Sequence, residues 1–190
     1  VNSTLSWLKG MITGDTNATW PEPLDIADQT PNSNRREVTC AARFFTVHET
    51  EQDIWQSLKD RGIEFVNVSP DPQVNYAILS REQAESFDAS LTLKCLATPR
   101  VTVLEGETAA FALTNKQPPS GLALGWLPTV STDGREIQST LSFHDGIHGF
   151  EIPNVCTESG GVVLVRVKEM RPDQDDGPRE VLIRVQVDTQ

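Results

Sequence analysis

Two stretches near the end of the sequence decide the fold, GVVLVRVKEM (161–170) and REVLIRVQVD (179–188). In both of them apolar side chains recur at every second position, which is the period of a β-strand with a buried face. The segment between them, RPDQDDGP (171–178), has the Pro- and Asp-rich composition of an exposed loop. The three segments therefore predict two strands joined by a surface connection.

Upstream of this pair, the second half of the chain is a run of strand candidates separated by turns. Glu105-Gly106 predicts a hairpin-like turn between the strands on either side, and Asp133-Gly134 predicts a second such turn. We expect residues 144–154 to be a short connection. The strand candidates are LTLKCLA (91–97), RVTVLE (100–105), ETAAFAL (107–113), LALGWLPTV (122–130) and GREIQSTLSF (134–143).

The first half of the chain combines strands with two helices. A helix is predicted over about 50–61, with Gly62 at its end, and the capping signature Ser80-x-x-Gln83 predicts a second helix through about Phe87. Strands are predicted at EVTCAARFFTV (37–47), IEFVNV (63–68) and VNYAIL (74–79). Because the helices are confined to the first half, this order predicts an α+β fold that is mostly β, with a mixed or antiparallel sheet.

Residues 1–36 differ in character from the remainder. They are rich in Asn, Asp, Thr and Pro and show no sustained period of a strand or a helix. We expect them to form an extended lead-in or linker, followed by one α+β domain over 37–190.

Composition narrows the range of partners. The 190 residues carry 16 Lys and Arg against 27 Asp and Glu, a formal net charge of −11, which argues against a nucleic acid partner. The sequence contains no run of about 18 uncharged apolar residues, so no membrane insertion through a helix is predicted. A hydrophobic content of 37% is enough for an ordinary core.

No pattern of reactive side chains predicts an enzyme. His144 and His148 are four residues apart, but Asp145-Gly146 between them predicts a turn, which gives the two imidazoles no fixed geometry for a metal. A Gly-x-Ser-x-Gly nucleophile motif and a phosphate-binding glycine loop are both absent from the sequence. We therefore predict no catalytic residue, no cofactor and no metal site.

Three cysteines and one tryptophan each allow more than one interpretation. Cys40, Cys95 and Cys156 are too far apart in sequence for a zinc ribbon, and each is compatible with a small buried hydrophobic residue. A Cys40–Cys95 disulfide stays open, provided that their strands are neighbours and the compartment is oxidising. Trp126 alternates with Leu124 in a predicted strand, which favours a core position and leaves a surface interaction residue as the alternative.

The segment ILSREQAESFDASLTLKCLATPRVTVLEGETAAFAL (78–113) resembles the core of bacterial secretins, the outer-membrane channel subunits of type II and type III secretion systems. The strands at 37–47, 157–165 and 179–187 are similar to the family's first and last strands, so the resemblance covers about residues 37–188. The matching residues of the first motif are Pro99, Arg100, Val101, Thr102, Val103, Gly106 and Ala109. Those of the following hairpin are Gly121, Leu122, Leu124, Pro128, Val130, Asp133, Gly134 and Ile137.

The departures from the family are as informative as the matches. Secretins insert long amphipathic hairpins between these strands, whereas here only residues 114–120 and 144–154 are present at those places. The resemblance thus implies a periplasmic or otherwise extracytoplasmic module that cannot form a pore itself. Its partner would be a protein, through self-association or an envelope assembly. A peptide- or small-ligand-binding module on the same scaffold is the alternative.

Overall fold

Eleven strands and two short helices form the part of the chain that the computed structural model describes, residues 35–47, 53–68, 74–90, 93–114, 121–144, 149–168 and 180–190. The helices are α1 (Asp53–Asp60) and α2 (Arg81–Ser90). The strands are β1 (Glu37–Val47), β2 (Val66–Asn67), β3 (Val74–Leu79), β4 (Lys94–Ala97), β5 (Arg100–Leu104), β6 (Ala109–Thr114), β7 (Gly121–Val130), β8 (Glu136–His144), β9 (Gly149–Glu158), β10 (Val162–Lys168) and β11 (Glu180–Thr189).

The strands form two sheets in which every ladder is antiparallel. Sheet A has seven strands in the order β2-β3-β10-β11-β1-β4, and β5 pairs with the first half of β1 beside β4. Sheet B has four strands in the order β6-β7-β8-β9. The predicted α+β, mostly β class is confirmed, with antiparallel sheets and both helices in the first half.

The larger hydrophobic cluster lies between the two sheets, and strand alternation explains why it forms. In β11 the side chains of Val181, Ile183 and Val185 all belong to it, one at every second position. From sheet B, Trp126 and Leu141 are fully buried in the same cluster. One face of each strand is therefore apolar because it meets the other sheet.

A second, smaller cluster lies on the opposite face of sheet A, under the helices. Leu58 of α1 and Phe87 of α2 belong to this cluster together with Phe45, Leu164 and Leu182 of the sheet. The molecule thus has three layers, which are helices, sheet A and sheet B.

The predicted capping signature is present at the start of α2. The Ser80 backbone N–H donates to Gln83 Oε1 at 2.9 Å, and the Gln83 N–H donates to Ser80 Oγ at 3.2 Å. The reciprocal pair satisfies two donors that the helix itself leaves unpaired. Helix α1 ends at Asp60, and Gly62 follows with a φ of 72°, as expected of a C′ glycine.

The prediction of a hairpin at Glu105-Gly106 was wrong. β5 pairs with β1 in sheet A, whereas β6 pairs with β7 in sheet B, so this turn carries the chain from one sheet to the other. The Gly106 N–H donates to the Pro128 carbonyl oxygen at 2.7 Å, which ties the crossing to sheet B. The sequence pattern of two strands and a turn does not distinguish a hairpin from a corner of a sandwich.

The expectation of a simple connection over 144–154 was also wrong. Most of that segment belongs to β9, which pairs with β8 along nearly its whole length. Ile152 and Val155 are both buried, three positions apart, and the ladder is irregular between Ser139 and Leu141. Asn154 has a φ of 59°, so a bulge breaks the alternation that would have revealed the strand.

The strand predicted over 63–68 is much shorter in the structure. β2 contains only Val66 and Asn67, because Ile63 is held in the helix layer, where its N–H donates to the Leu58 carbonyl oxygen at 3.0 Å. Most of the lead-in predicted over 1–36 lies outside the described residues. Within the described ranges, neither helix has the length or the apolar character needed to cross a membrane.

Candidate functional site

The residues that the sequence offers for metal or acid–base chemistry do not form a centre in the described ranges. His144 ends β8, and His148 lies outside those ranges, as do the loop acids of 171–178. Among the described side chains, no group of three His, Cys, Asp or Glu could hold a metal ion. Two surface features of the described ranges, a groove and a strand edge, are the candidate sites.

The Cys40–Cys95 disulfide is not formed. Cys40 lies opposite Val101 in the ladder, whereas Cys95 lies opposite Phe45, five positions further along β1. At about 3.4 Å per residue, this offset is far beyond the reach of a disulfide. All three cysteines are free. Burial raises the pKa of the Cys40 thiol to about 12, so this residue is part of the core and not a reactive group.

Trp126 is a core residue and is not available as a surface interaction residue. Its side chain is fully buried between the sheets, and its Nε1–H donates to Ser139 Oγ at 3.1 Å. Ser139 is itself buried, so the pair satisfies two polar groups inside sheet B. The core interpretation of the sequence is confirmed, and the surface alternative is excluded.

A groove of about 880 Å³ lies where the strands of sheet A end, and we define it by its walls. One wall is helix α2 with the residue before it, and the other is the turn at 158–161 between β9 and β10. The floor includes Val162, Arg184 and Gln186 of sheet A. A cavity of this size matches those that hold small ligands or short peptides.

Arg184 and Asp88 of the groove belong to a charged cluster that continues to Arg43, outside the groove lining. The Arg184 side chain is 7% exposed and donates from Nη2 to Asp88 Oδ2 at 2.8 Å and from Nη1 to Gln186 Oε1 at 3.1 Å. Arg43 lies directly opposite Arg184 in the β1–β11 ladder, and its Nη1 is 3.6 Å from the other oxygen of Asp88. Burial, followed by the nearby charge of Arg43, lowers the pKa of Arg184 against the opposing effect of Asp88.

A second surface feature is the outer edge of β3. β2 pairs only with Asn75 and Tyr76, so the following residues of β3 up to Leu79 have no strand of the described ranges beside them on that edge. Ile78 is 47% exposed there, and Val66 of β2 is 54% exposed. We refer to this region, Val66 with 77–79, as the open edge.

Sequence reasoning missed both features. Arg184 and Asp88 are 96 positions apart, and only the pairing of β11 with β1 under α2 brings them together. The one available signal was the charged residue at an alternating, inward position of REVLIRVQVD, because a buried strand rarely carries an unpaired arginine. The open edge had no signal, since it depends on where β2 begins.

Comparison with known proteins adds no assignment. No protein-family model matches the chain, and no curated protein matches it either.

Proposed function

We propose that the chain is a non-enzymatic, secretin-like interaction module of the bacterial cell envelope that cannot form a pore itself. In this proposal its partner is a protein, and the first such partner is a second copy of the chain. The open edge of β3 is the single observation that carries the proposal.

The backbone of the open edge offers unpaired hydrogen-bonding groups. The Val68 N–H donates to the Val74 carbonyl oxygen at 3.2 Å, so Val74 points its backbone toward β2. Strand alternation then directs the backbone of Tyr76 and Ile78 to the same side. Because β2 begins only at Val66, opposite Tyr76, Ile78 directs its N–H and carbonyl groups to a position that no described strand fills. Such an edge is a template for an added strand.

Two exposed apolar side chains at this edge would be buried by an added strand. Val66 pairs with Tyr76, so Ile78 lies diagonally across the ladder from Val66 on the same face of the sheet. Val66 is the most exposed large hydrophobic residue of the described ranges. Ile78 and Leu96 follow with equal exposure. By contrast, the edge strand β4 that holds Leu96 carries Lys94, a residue type that blunts edge pairing. The β3 edge is therefore the better place for strand addition.

The resemblance supports the envelope context and the lack of a pore. The strands that match the family follow one another in family order, and β7 and β8 pair as the predicted hairpin, from Ala123↔His144 to Val130↔Ile137. Only six positions separate β6 from β7, and four separate β8 from β9. A hairpin that spans a membrane needs two strands of about 9–11 residues each, so neither connection has room for one.

Sedimentation velocity over a concentration series tests the proposal. We expect concentration-dependent association of the unmodified chain, in which two β3 edges pair around a two-fold axis. Ile78→Lys should keep the chain monomeric, because an ammonium group would have to be buried in the new sheet. Leu127→Lys is the matched control, since Leu127 is 37% exposed but lies on the central strand β7. A chain that stays monomeric at every concentration contradicts the proposal.

An extracytoplasmic module that binds a peptide or small ligand is the second candidate function. The groove between α2 and the turn at 158–161 favours it, because its volume of about 880 Å³ and its mixed polar and apolar lining suit such a ligand. Ile78 and Leu79 belong to both the open edge and the groove lining, so this function is tested on the unmodified chain and not on Ile78→Lys.

A further inference from the structure

We propose that the outer face of sheet B, the face that points away from sheet A, is the docking surface for an apolar segment of this same chain, residues 5–12. The segment LSWLKGMI (5–12) contains five large apolar side chains, which are Leu5, Trp7, Leu8, Met11 and Ile12. The proposal does not rest on self-association through the open edge of β3.

The first supporting observation is that small residues on this outer face are buried. In β7, Leu124 and Trp126 belong to the cluster between the sheets, so Ala123 and Gly125 lie on the opposite, outer face. Nevertheless, Ala123 is 0% exposed, and Gly125 is buried as well. Ser142 of β8, which lies opposite Gly125 in the ladder, is 8% exposed. Water is therefore kept away from this part of the outer face.

No helix or strand of the described ranges accounts for this burial. Helices α1 and α2 lie on the far side of sheet A, and neither contributes to the cluster that sheet B shares. The cross-strand neighbours of Gly125 are Ala110 and Ser142, whose short side chains cannot shield it. Further along the same face, Leu127 is 37% exposed, and Thr129 is exposed too. Because these are exposures within a single chain, the burial points to a part of the chain beyond the described ranges.

The two connections at this end of sheet B are poorly suited to cover it. Residues 115–120, between β6 and β7, read NKQPPS and contain no aliphatic or aromatic side chain apart from two prolines. Residues 145–148, between β8 and β9, read DGIH and contain one aliphatic side chain. The segment 5–12 has five large apolar side chains that gain free energy by leaving water. A surface of Ala, Gly and Ser lets such side chains come close to the sheet backbone.

The length of chain that precedes the described ranges permits this docking. The described chain begins beside the turn between β7 and β8, where Arg36 Nη1 donates to the Ser131 carbonyl oxygen at 2.6 Å. Ser131 is eight positions from Ala123, a distance of about 27 Å along a strand. Residues 13–34 supply 22 positions, which span about 70 Å when fully extended. The segment 5–12 therefore reaches the buried end of the outer face, with 13–34 as its linker.

Thiol labelling of the full chain tests the docking. Ser142→Cys places a probe on the buried part of the outer face, and Thr129→Cys places one on its exposed part. We expect iodoacetamide to alkylate the first introduced thiol at least tenfold more slowly than the second, because a covered thiol is inaccessible. Peptide mass spectrometry measures the rate at each position. Trp7→Ser combined with Leu8→Ser removes two large side chains of the segment and should raise the slow rate about tenfold.

Controls separate docking from a general change of structure. Trp20→Ser removes an aromatic side chain from the linker and should leave the slow rate unchanged. Cys40 is fully buried in the core and should stay unreactive in every variant, which shows that the fold is intact. The slow rate should not depend on protein concentration, because the segment belongs to the same chain.

Three results would overturn the docking. Equal rates for the two introduced thiols would show that the outer face is open to solvent. A slow rate that persists in the Trp7→Ser, Leu8→Ser variant would assign the cover to another segment, and a slow rate that rises on dilution would assign it to a second copy of the chain. If Ser142→Cys does not fold, Ala123→Cys places the probe on the same part of the face, and the same three results decide.

Discussion

On the face of sheet A that meets sheet B, β10 and β11 present apolar side chains as far as Val187, such as Val163, Val165 and Ile183. On the face under the helices, the same two strands alternate Leu164 and Leu182 with charged residues. Those charged residues are Arg166, Lys168, Glu180 and Arg184. The two faces thus share a backbone but differ in chemistry.

The difference follows from what covers each face. A second sheet covers its side with a continuous apolar layer, so a charge there would lose its water without a partner. Two short helices cover their side incompletely, and the strand positions between and beyond them can hold ion pairs and border a groove. The sheet-facing side therefore contributes mainly apolar packing, whereas the helix-facing side holds the ion pairs and borders the groove.

Truncation of Trp126 should have the largest effect of any change that tests this division. Trp126→Ala removes a fully buried ring from the layer between the sheets and leaves Ser139 without its indole donor. We expect a loss of about 3–5 kcal/mol in the free energy of unfolding, measured by denaturant titration. Trp126→Phe, which retains a ring, should cost clearly less. A loss for Trp126→Ala near zero would contradict the stabilising role of this layer.

The next largest loss of unfolding free energy is expected when an ion pair on the helix-facing side is broken. Arg166 donates to both carboxylate oxygens of Glu180 at 2.9 Å, and the Glu180 side chain is 8% exposed. Glu180→Ala should cost about 3 kcal/mol in the free energy of unfolding, since it leaves a partly buried arginine without its anion. Glu85→Ala breaks the exposed Arg81 pair and is the control, with little expected change. Equal losses of unfolding free energy in Glu180→Ala and Glu85→Ala would show that burial of the ion pair does not matter.

The pH dependence of stability probes the sheet-facing side again, through Cys40. Burial raises the pKa of its thiol from 9.0 to about 12, so the unfolded chain releases the proton first as pH rises. The stabilisation is complete below pH 9 and is lost between pH 9 and pH 12. In that window, the free energy of unfolding should fall about 1.4 kcal/mol per pH unit more steeply than in Cys40→Ala.

A second variant without the thiol supplies the control for this measurement. Cys40→Ser should show the same slope of stability against pH as Cys40→Ala. Identical slopes for the unmodified chain and Cys40→Ala would mean that Cys40 is not held in a water-free layer.

The smallest expected effect is on the reactivity of Cys156, which lies on β9 of sheet B and not on sheet A. Burial, the charge of Glu136 and its hydrogen bond raise the pKa of the Cys156 thiol. Removing the charge with Glu136→Gln should lower that pKa, increase the thiolate fraction near pH 8 and speed alkylation by iodoacetamide a few-fold. The rate for Cys95 in the same sample is the internal reference. A slower reaction of Cys156 in the variant would reject the role of Glu136.

The sequence predicted those elements whose signals are local. The alternation of GVVLVRVKEM and REVLIRVQVD places β10 and β11 within one or two residues, and Ser80 with Gln83 marks the start of α2. The apolar interior and the core position of Trp126 follow from the same periodicity. These features depend on neighbours in the chain, and one sequence is enough to read them.

What sequence could not supply is the choice of strand partners. Glu105-Gly106 has the composition of a hairpin turn and yet joins two sheets, and the bulge at Asn154 conceals β9. The groove combines Asp88 and Arg184, whose contact depends on the complete order of sheet A. Long-range pairing is set by the competition among all strands, which local composition does not encode.

The position of β11 has a consequence for how the chain is made. β11 follows every other strand in sequence but lies in the middle of sheet A, between β10 and β1. During synthesis β1 therefore leaves the ribosome long before the neighbour that covers its inner edge exists. Until residues 180–189 emerge, sheet A remains in two unlinked parts, so a nascent chain would rely on chaperones or on a late, cooperative closure.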